Sequence, residues 1–271
     1  MTTRPERPQL FPALLKYWRG RRGLSQLDLA LAADVSSRHV SFLETGRARP
    51  SESMVLRLGA TLDLPLREQN HLLRAAEFPP AFEEPPLHAI EAPGVRAALD
   101  RMLAQQEPYP MVVMNRAYDV VTMNGAGMRL LPLVVANPAA LVPPFNAMRG
   151  LFDPDGFRPF VQNWEAGARS LLSRLHREAL HHPEDQRLRD LIDECLAFPG
   201  VPDDWREPDF SAASAPTFTV RLHKDDLRLA FLTTLTVFSA PQNVTLEDLL
   251  IESYFPLDDE TAATCARVAG S

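Results

Sequence analysis

Small polar and cationic side chains cluster between residues 36 and 42, where the chain reads SSRHVSF. Arg38 can form paired hydrogen bonds with the edge of a guanine, and Phe42 can contact the methyl group of a thymine. Hydroxyl and guanidinium groups also bind phosphate oxygens, which position a protein on DNA without reading its sequence. These residue types, at this spacing, indicate contact with a nucleic-acid duplex.

The candidate contacts fall into two sets. We expect base edges to be read by Gln26, Ser37, Arg38, His39 and Phe42. We expect phosphates to be bound by Ser36, Thr45, Arg47 and Arg49. Structural interpretations stay open, because Ser36 can be only a helix cap and Phe42 only packing. Arg47 and Arg49 can likewise lie in a solvated turn.

The surrounding pattern predicts two short helices joined by a tight turn. Ser25 is placed to cap the first helix and Ser36 to cap the second. Gly46 then ends the second helix, as a left-handed residue does. In a helix-turn-helix the second helix enters the major groove, with the residues near its N-terminus on base edges. The side chains expected to face inward are Leu27, Leu29, Ala30, Ala33, Val40 and Leu43.

Residues 24–51 resemble the helix-turn-helix of phage repressors and of the wider XRE family. The likeness extends over residues 10–75 and is carried by Gln26, by Ala30 at the helix crossing, and by the exit turn ETGRARP at 44–50. It implies an all-α, lambda-repressor-like domain of five helices that binds a double-stranded DNA operator. Asp34 stands in the turn where relatives often have Gly, and Asp tolerates the left-handed conformation better than most residues.

The charge of the chain divides along its length. The whole sequence carries a formal net charge of −7, but residues 1–80 hold 12 Arg or Lys and 8 Asp or Glu, a balance of +4. The remaining 191 residues hold 16 and 27, a balance of −11. A basic module joined to an acidic one is expected when only the first meets phosphate.

Length and proline content predict two domains. At 271 residues the chain exceeds the usual size of one domain. We place the helix-turn-helix domain at 1–77 and a linker at 78–92, within the stretch 78–94 that holds five prolines. The second domain, 93–271, has five segments with strand character and helices inserted after the second. This order predicts an α+β fold with a five-stranded antiparallel sheet. The expected strands are 111–115, 118–124, 217–223, 228–239 and 249–255.

The second domain resembles a PAS-like sensory domain, and the whole chain resembles the MmyB-like (MltR-like) transcription regulators. The likeness is carried by residues 35–51, 107–124, 145–175 and 240–256, in that order. It implies a pocket that binds a fatty acid or a similar amphiphile. Relatives more often have an Arg-Leu-Ser-Leu-like run at 146–152, so Gly150 and Phe152 are expected to reshape the pocket.

An apolar acid needs an apolar cavity and one or two polar groups that hold its head. Arg149 can hold a carboxylate through paired hydrogen bonds, and Asn146 and Asn163 lie in the same non-repetitive stretch. The aromatic and methionine side chains expected to line the cavity are Tyr109, Met114, Met123, Trp164, Phe218 and Phe231. Each of these six can instead belong to an ordinary core.

Signals of an enzyme are weak. The sequence has no GxSxG or Walker motif, and His176, His181 and His182 lack the i, i+4 spacing of a helical metal pair. We therefore expect no catalytic residue, no metal site and no cofactor other than the apolar ligand. Cys195 and Cys265 form no CxxC pair, which favours a reducing compartment. No apolar run approaches 20 residues, and we recognise no signal peptide at the N-terminus. We therefore expect a cytoplasmic bacterial protein without membrane contact.

The sequence therefore predicts a one-component transcription regulator that acts as a homodimer and senses a small apolar ligand. Two alternatives stay open. In the first, the second domain serves only dimerisation or protein contact. In the second, an enzyme is fused to the DNA-binding module.

Overall fold

A computed structural model describes residues 10–85, 93–141, 143–182, 185–207, 218–238, 241 and 243–270, with only the backbone of residues 93, 140, 181 and 218. The chain divides into two compact units. The first contains Met1–Pro85 and Ala240–Glu247, and the second contains Pro86–Ser239 and Asp248–Ser271. Residues 78–85, which we predicted as part of the linker, and residues 240–247, which we predicted in the second domain, both fall in the first unit. Residues 86–92 of the predicted linker lie outside the described residues.

The first unit contains the five predicted helices. They are α1 (Leu10–Arg21), α2 (Gln26–Ala32), α3 (Ser37–Glu44), α4 (Glu52–Thr61) and α5 (Leu66–Ala75). The side chains of Ser25, Ser36 and Ser51 accept hydrogen bonds from the first turns of α2, α3 and α4, as N-caps do. Asp34 (φ 53°) and Gly46 (φ 71°) both adopt the left-handed conformation. Asp34 follows the end of α2, and Gly46 redirects the chain after α3.

A single apolar core joins these helices. Leu29, Ala30 and Ala33 of the α2 region and Val40 and Leu43 of α3 are buried in it, as predicted. The prediction for Leu27 is wrong, because its side chain is 56% exposed. Side chains two positions apart on a helix point in directions that differ by about 200°. Because α2 buries Leu29, it therefore turns Leu27 toward solvent.

The second unit is an α+β fold with one five-stranded antiparallel sheet. Its strands are β1 (Met111–Met114), β2 (Val120–Met123), β3 (Phe218–Lys224), β4 (Leu227–Thr236) and β5 (Leu250–Pro256). They are ordered β2-β1-β5-β4-β3, with every neighbouring pair antiparallel. The PAS-like prediction of a five-stranded antiparallel sheet is confirmed. Hairpin β3–β4 turns at Asp225 (φ 53°), within the predicted turn.

Helices surround this sheet. They are α6 (Pro93–Gln106), α7 (Gly125–Leu130), α8 (Ala147–Phe152), α9 (Trp164–His181), α10 (Gln186–Ala197) and α12 (Asp259–Ala269). The main core joins β1, α8, α9 and α10 through side chains such as Met114, Phe152 and Leu172. Helix α11 (Val244–Glu247) lies in the connector between β4 and β5 and belongs to the first unit. No helix in the described ranges is long and apolar enough to cross a bilayer.

Candidate DNA-contact surface and ligand cavity

The exposed face of α3 carries the predicted base-reading side chains. Ser37 and Arg38 are exposed, and His39 and Phe42 are partly exposed. The guanidinium carbon of Arg38 lies 5.2 Å from the centroid of the Phe42 ring, one helical turn away. This distance is within the range of a cation–π contact, which favours an extended guanidinium over the aromatic face. The structure therefore brings four of the five predicted base readers together on one helix.

The fifth, Gln26, is engaged in an enclosed cluster at the start of α2. Its amide nitrogen donates to Glu44 over 2.8 Å, and Arg19 donates to both oxygens of the same carboxylate, over 2.6 and 3.0 Å. The Glu44 side chain is only 3% exposed. Burial acts to raise the pKa of Glu44, but the hydrogen bonds from Arg19 and Gln26 outweigh it and lower that pKa. The cluster joins α1, α2 and α3 and fixes Gln26 in place.

The predicted phosphate contacts surround α3. The Ser36 hydroxyl accepts the amide of His39 over 3.1 Å, so Ser36 is an N-cap in the free protein. The Thr45 hydroxyl donates to the carbonyl of Ser41 over 2.7 Å. Arg47 is exposed and, within the described residues, has no ion-pair partner. Arg49 and Glu77 approach to 3.7 Å, but both side chains are largely exposed, so this pair contributes little.

A cavity of about 650 Å³ lies between the sheet and helices α7, α8 and α9 of the second unit. Val112, Leu235 and Glu252 form one row across β1, β4 and β5, because Glu252 is paired with both neighbours. Most of the wall is apolar. The lining side chains of the sheet are Val112, Met114, Val120, Met123, Val220, Leu222, Leu229, Phe231, Thr233, Leu235, Glu252 and Tyr254. Those opposite include Leu130, Phe145, Met148, Leu151, Phe157, Leu171 and Arg174.

Three of the nine predicted ligand-binding residues line this cavity: Met114, Met123 and Phe231. Tyr109 does not line the cavity itself but is half-buried against the small cluster that contains Phe231 and Cys265. The side chain of Phe218 lies outside the described residues. The other four, Asn146, Arg149, Asn163 and Trp164, do not line the cavity.

The two asparagines hold loops in place. Asn146 is buried, caps α8 by accepting the amide of Arg149 over 3.0 Å, and donates to the carbonyl of Ala117 over 2.7 Å. Asn163 donates to the carbonyl of Thr219 over 2.6 Å and accepts the amide of Arg221 over 3.1 Å. These bonds join the loop before α9 to strand β3. Both amides are therefore used by the protein backbone.

Arg149 and Trp164 also have partners elsewhere. The guanidinium of Arg149 lies at the surface of α8, 2.6 Å from the carboxylate of Glu194, and both side chains are about half exposed. Trp164 donates to the carbonyl of Leu151 over 2.7 Å, and its ring stacks on Trp205 with centroids 5.3 Å apart. The geometry thus gives Arg149 a surface ion pair and Trp164 a place in the core.

Two cations of α9 line the cavity. One is Arg177, which already has an interaction of its own, and the other is Arg174. It is half-buried and, among the described residues, has no ion pair or hydrogen bond. The sequence carried a signal for it, since Ser170, Leu171, Arg174 and Glu178 share one face of α9 by spacings of three and four residues, and all four line the cavity. The sequence prediction omitted Arg174, although a charged residue three positions after Leu171 on the apolar face of α9 marks it.

An acid lies in the same cavity on β5. The Tyr254 hydroxyl donates to the Glu252 carboxylate over 3.1 Å, and burial raises the pKa of both side chains. Hydrogen bonds from Thr233 and Tyr254 and the charge of Arg174 act in the opposite direction on Glu252 but do not cancel the effect of burial. Glu252 therefore takes up a proton more readily than an exposed glutamate.

Tyr118 provides a third polar group. Its hydroxyl is buried, lines the cavity and has no hydrogen-bond partner among the described residues. Burial raises the pKa of Tyr118 to about 12, so the hydroxyl stays protonated and can donate. The backbone of Tyr118 has φ 63°, which is unfavourable for an aromatic residue. Strain of this kind and an unsatisfied buried hydroxyl are both typical of binding sites.

Gly150 shapes the wall beside α8. A Cβ at this position would lie 2.6 Å from the ring of Phe157 and 2.8 Å from that of Phe145, and both rings line the cavity. The missing side chain therefore lets two aromatic rings pack over α8.

Comparisons with known families cover both units. Residues 95–267 match the model of the MmyB-like transcription regulator ligand binding domain, and residues 15–69 match a helix-turn-helix model. The first match alone spans more than half of the chain. The chain belongs to the MmyB-like transcription regulators. As a member, it is a DNA-binding transcription regulator with a ligand-binding domain, and its XRE-type helix-turn-helix contains α2 and α3.

The other comparisons add little to this family assignment. No curated protein matches it. One solved structure, that of an RNA-binding Light-Oxygen-Voltage receptor, is 14% identical, with a TM-score of 0.31. The alignment covers 99% of this chain and 64% of that chain. At this TM-score the likeness carries no functional argument.

Proposed function

We propose that this regulator is a one-component sensor in which an amphiphilic, fatty-acid-like carboxylate binds the second unit and sets the affinity for the operator. The observation that carries the proposal is the half-buried guanidinium of Arg174, which lines an apolar cavity of about 650 Å³ without an ion-pair partner among the described residues. Cavities of roughly 300–1,000 Å³ are typical of small-molecule sites.

The chemistry of the cavity supports an acid with an apolar tail. A cation in an apolar environment is costly unless it is paired, and a carboxylate matches the fork of a guanidinium. Tyr118 can donate a further hydrogen bond to the same head group, because its buried hydroxyl is unpaired and protonated. The aliphatic and aromatic wall then removes the tail from water. In this proposal Arg174, rather than Arg149, is the anchor.

We propose further that the protein acts as a homodimer on double-stranded DNA in the bacterial cytoplasm and catalyses no reaction. The +4 charge of residues 1–80 supports contact with phosphate, and the −11 charge of the remainder favours keeping the second unit away from it. Two subunits would present two α3 helices to two half-sites.

Binding of tetradecanoate to delipidated full-length protein tests the ligand. We compare wild type with Arg174→Gln and with Arg149→Gln as a matched control, using isothermal titration calorimetry. Loss of a charge-assisted hydrogen bond costs about 1.5–3 kcal/mol, so Arg174→Gln should weaken binding by roughly 10- to 100-fold. Arg149→Gln should bind within about twofold of wild type. Equal binding by wild type and Arg174→Gln would remove Arg174 as the anchor.

Operator titration by fluorescence anisotropy tests the sensor, with a duplex selected from random sequences by the wild-type protein. A coupling of about 1–3 kcal/mol predicts a change in operator affinity of roughly 5- to 150-fold on addition of tetradecanoate. Binding of tetradecanoate without any such change would make the second unit a dimerisation domain with a structural lipid.

A further inference from the structure

The connector between β4 and β5 is much longer than a hairpin needs. It spans residues 237–249, whereas the loops of β-hairpins usually have 2–5 residues. Its segment 240–247, with α11, belongs to the first unit although both flanking strands belong to the second. Val244 is fully buried and Leu246 is 4% exposed. Burial of this kind indicates a docked segment rather than a solvated loop.

The connector supplies a cap that α5 lacks. The N-cap residue of α5 is Pro65, which provides no side-chain hydrogen bond. Both carboxylate oxygens of Glu247 instead accept the amide of Leu66, over 3.0 and 2.9 Å. A carboxylate at a helix N-terminus satisfies a free N–H and interacts favourably with the helix dipole.

The surface under the connector is ordered by α5 itself. Asn70 donates to the carbonyl of Phe82 over 2.7 Å and accepts the amide of Phe82 over 3.1 Å, which holds residues 81–82 against the helix. The connector then bonds to the next residues, as the amide of Val244 donates to Glu83 O over 3.0 Å and the hydroxyl of Thr245 donates to Pro85 O. The docking site is therefore made of α5 and residues 81–85.

The residue after Glu247 is fixed in the second unit. Asp248 forms an ion pair with Arg116 at 3.0 Å, and both side chains are only 12% exposed. Arg116 lies in the β1–β2 turn, two residues before Tyr118 of the cavity. It also contacts His182, which lies 3.8 Å from Glu178 of the cavity wall. Adjacent residues of one chain thus bind α5 and the loop that carries Tyr118.

We infer that the β4–β5 connector, anchored by Glu247 on α5, transmits occupancy of the cavity to the DNA-binding helices. This inference rests on the proposed function. A ligand that contacts Tyr118, or that separates β4 from β5, moves the Arg116–Asp248 ion pair. Because Glu247 directly precedes Asp248 in the chain, this movement displaces Glu247 as well. Coupling then requires that the cap is formed more fully in one ligand state than in the other. Glu247 is a positioning residue with no contact to the ligand.

The test uses full-length Glu247→Ala with Glu83→Ala as the matched control. Glu83 is an exposed carboxylate on the docking surface, and its substitution keeps the backbone carbonyl that Val244 uses. Both variants should still bind tetradecanoate, and Glu83→Ala should do so within about twofold of wild type. The change in operator affinity caused by tetradecanoate should fall to less than about twofold in Glu247→Ala and stay as in wild type in Glu83→Ala. A wild-type response in Glu247→Ala would overturn the inference.

Hydrogen exchange separates this outcome from failure of the proposed function. Residues 66–70 at the start of α5 should exchange faster in Glu247→Ala than in wild type or Glu83→Ala, with or without tetradecanoate. Unchanged exchange would show that Glu247 does not cap α5 in solution and would overturn the inference by itself. Absence of any operator response in wild type would refute the sensor and the transmission role together. Thr245→Val, which keeps Glu247, should reduce the response partially and provides a second variant if Glu247→Ala is unstable.

Discussion

Arg38 and Phe42 contact each other on the exposed face of α3, with the guanidinium carbon 5.2 Å from the ring centroid. The pair keeps the guanidinium extended along the helix surface, where it can reach a base edge. Its neighbour Ser36 has a structural role as an N-cap, and Thr45 bonds to the end of the same helix. The two interpretations of these polar residues, capping and contact with phosphate, are compatible, since a cap hydroxyl keeps further lone pairs.

Substitution of Arg38 by Ala should weaken binding to the selected operator by about 1–3 kcal/mol and leave binding to random duplex nearly unchanged. The reason is that a bidentate contact with guanine discriminates between bases, whereas a phosphate contact does not. Anisotropy titrations with both duplexes at one salt concentration measure the effect. Equal losses on the two duplexes would instead make Arg38 a phosphate contact.

Substitution of Arg47 by Ala should weaken binding to every duplex by a similar factor. Arg47 is exposed and, in the described part of the chain, has no ion-pair partner, so it is available to a phosphate. Loss of one phosphate contact should reduce the slope of log K against log salt by about one unit. The slope is measured between 50 and 200 mM salt, and an unchanged slope would exclude Arg47 from the interface.

At the scale of elements, the motif is held together by one enclosed carboxylate. Glu44, at the end of α3, accepts hydrogen bonds from Arg19 of α1 and Gln26 of α2. The orientation of the recognition helix therefore depends on a charged cluster as well as on the apolar core. Removing one partner of an enclosed pair is strongly destabilising, because the other charge stays buried without compensation.

Glu44→Gln should lower the free energy of unfolding of the first unit by roughly 1.5–3 kcal/mol at neutral pH, the range for hydrogen bonds to a charged group. The folded-state pKa of Glu44 lies below the ordinary glutamate value of 4.5. Its stabilising contribution is therefore present above pH 4.5 and is lost as pH falls through the lower folded value. The difference between wild type and variant should therefore shrink below pH 4.5. Trp18 fluorescence reports urea unfolding of this unit when Trp164 and Trp205 are replaced by Phe.

The exposed pair Arg49–Glu77 provides the control for this measurement. Its atoms are 3.7 Å apart and both side chains are more than three-quarters exposed. Glu77→Gln should change the free energy of unfolding by less than about 0.5 kcal/mol at any pH. A difference for Glu44→Gln that does not depend on pH would show that its carboxylate is not held charged by Arg19.

At the scale of the molecule, the DNA-binding helices and the cavity lie in different units. The first unit carries the positive charge and the exposed α3, and the second encloses the cavity with Arg174, Glu252 and Tyr118. A discontinuous first unit is the consequence of the β4–β5 connector. Chain connectivity thus provides two covalent routes from the sheet to the DNA-binding helices, one through residues 86–92 and one through the connector.

If two copies bind one operator, as we propose, insertion of five base pairs between half-sites should reduce the affinity to that of a single half-site. Half-sites of helix-turn-helix dimers are about 34 Å apart, one helical turn, so both recognition helices meet the same face of the duplex. Five extra base pairs rotate the second half-site to the opposite face. A spacer of unchanged length but altered sequence is the control. Equal affinity after insertion would indicate that one subunit binds independently.

Local patterns in the sequence were enough to place α2, α3 and the strands. Ser25 and Ser36 each precede a helical pattern and cap the helix that follows. Asp34 and Gly46 tolerate the left-handed conformation of their turns. Alternation of apolar residues predicts β3 and β4. These features depend on interactions between residues a few positions apart. The assignments of the helix-turn-helix and the five-stranded sheet therefore needed no tertiary information.

The tertiary structure decided which polar groups meet. Arg149 and Arg174 both lie near apolar residues in the sequence. In the fold, however, Arg149 pairs with Glu194 at the surface, whereas Arg174 lines the cavity. The contact of Glu247 with Leu66 joins positions 181 residues apart, and no local pattern encodes it. The direction of a side chain follows from the rotation of its helix against its neighbours, which long-range packing sets. For this reason the sequence determined the elements and their order, and the fold determined which side chains line the cavity.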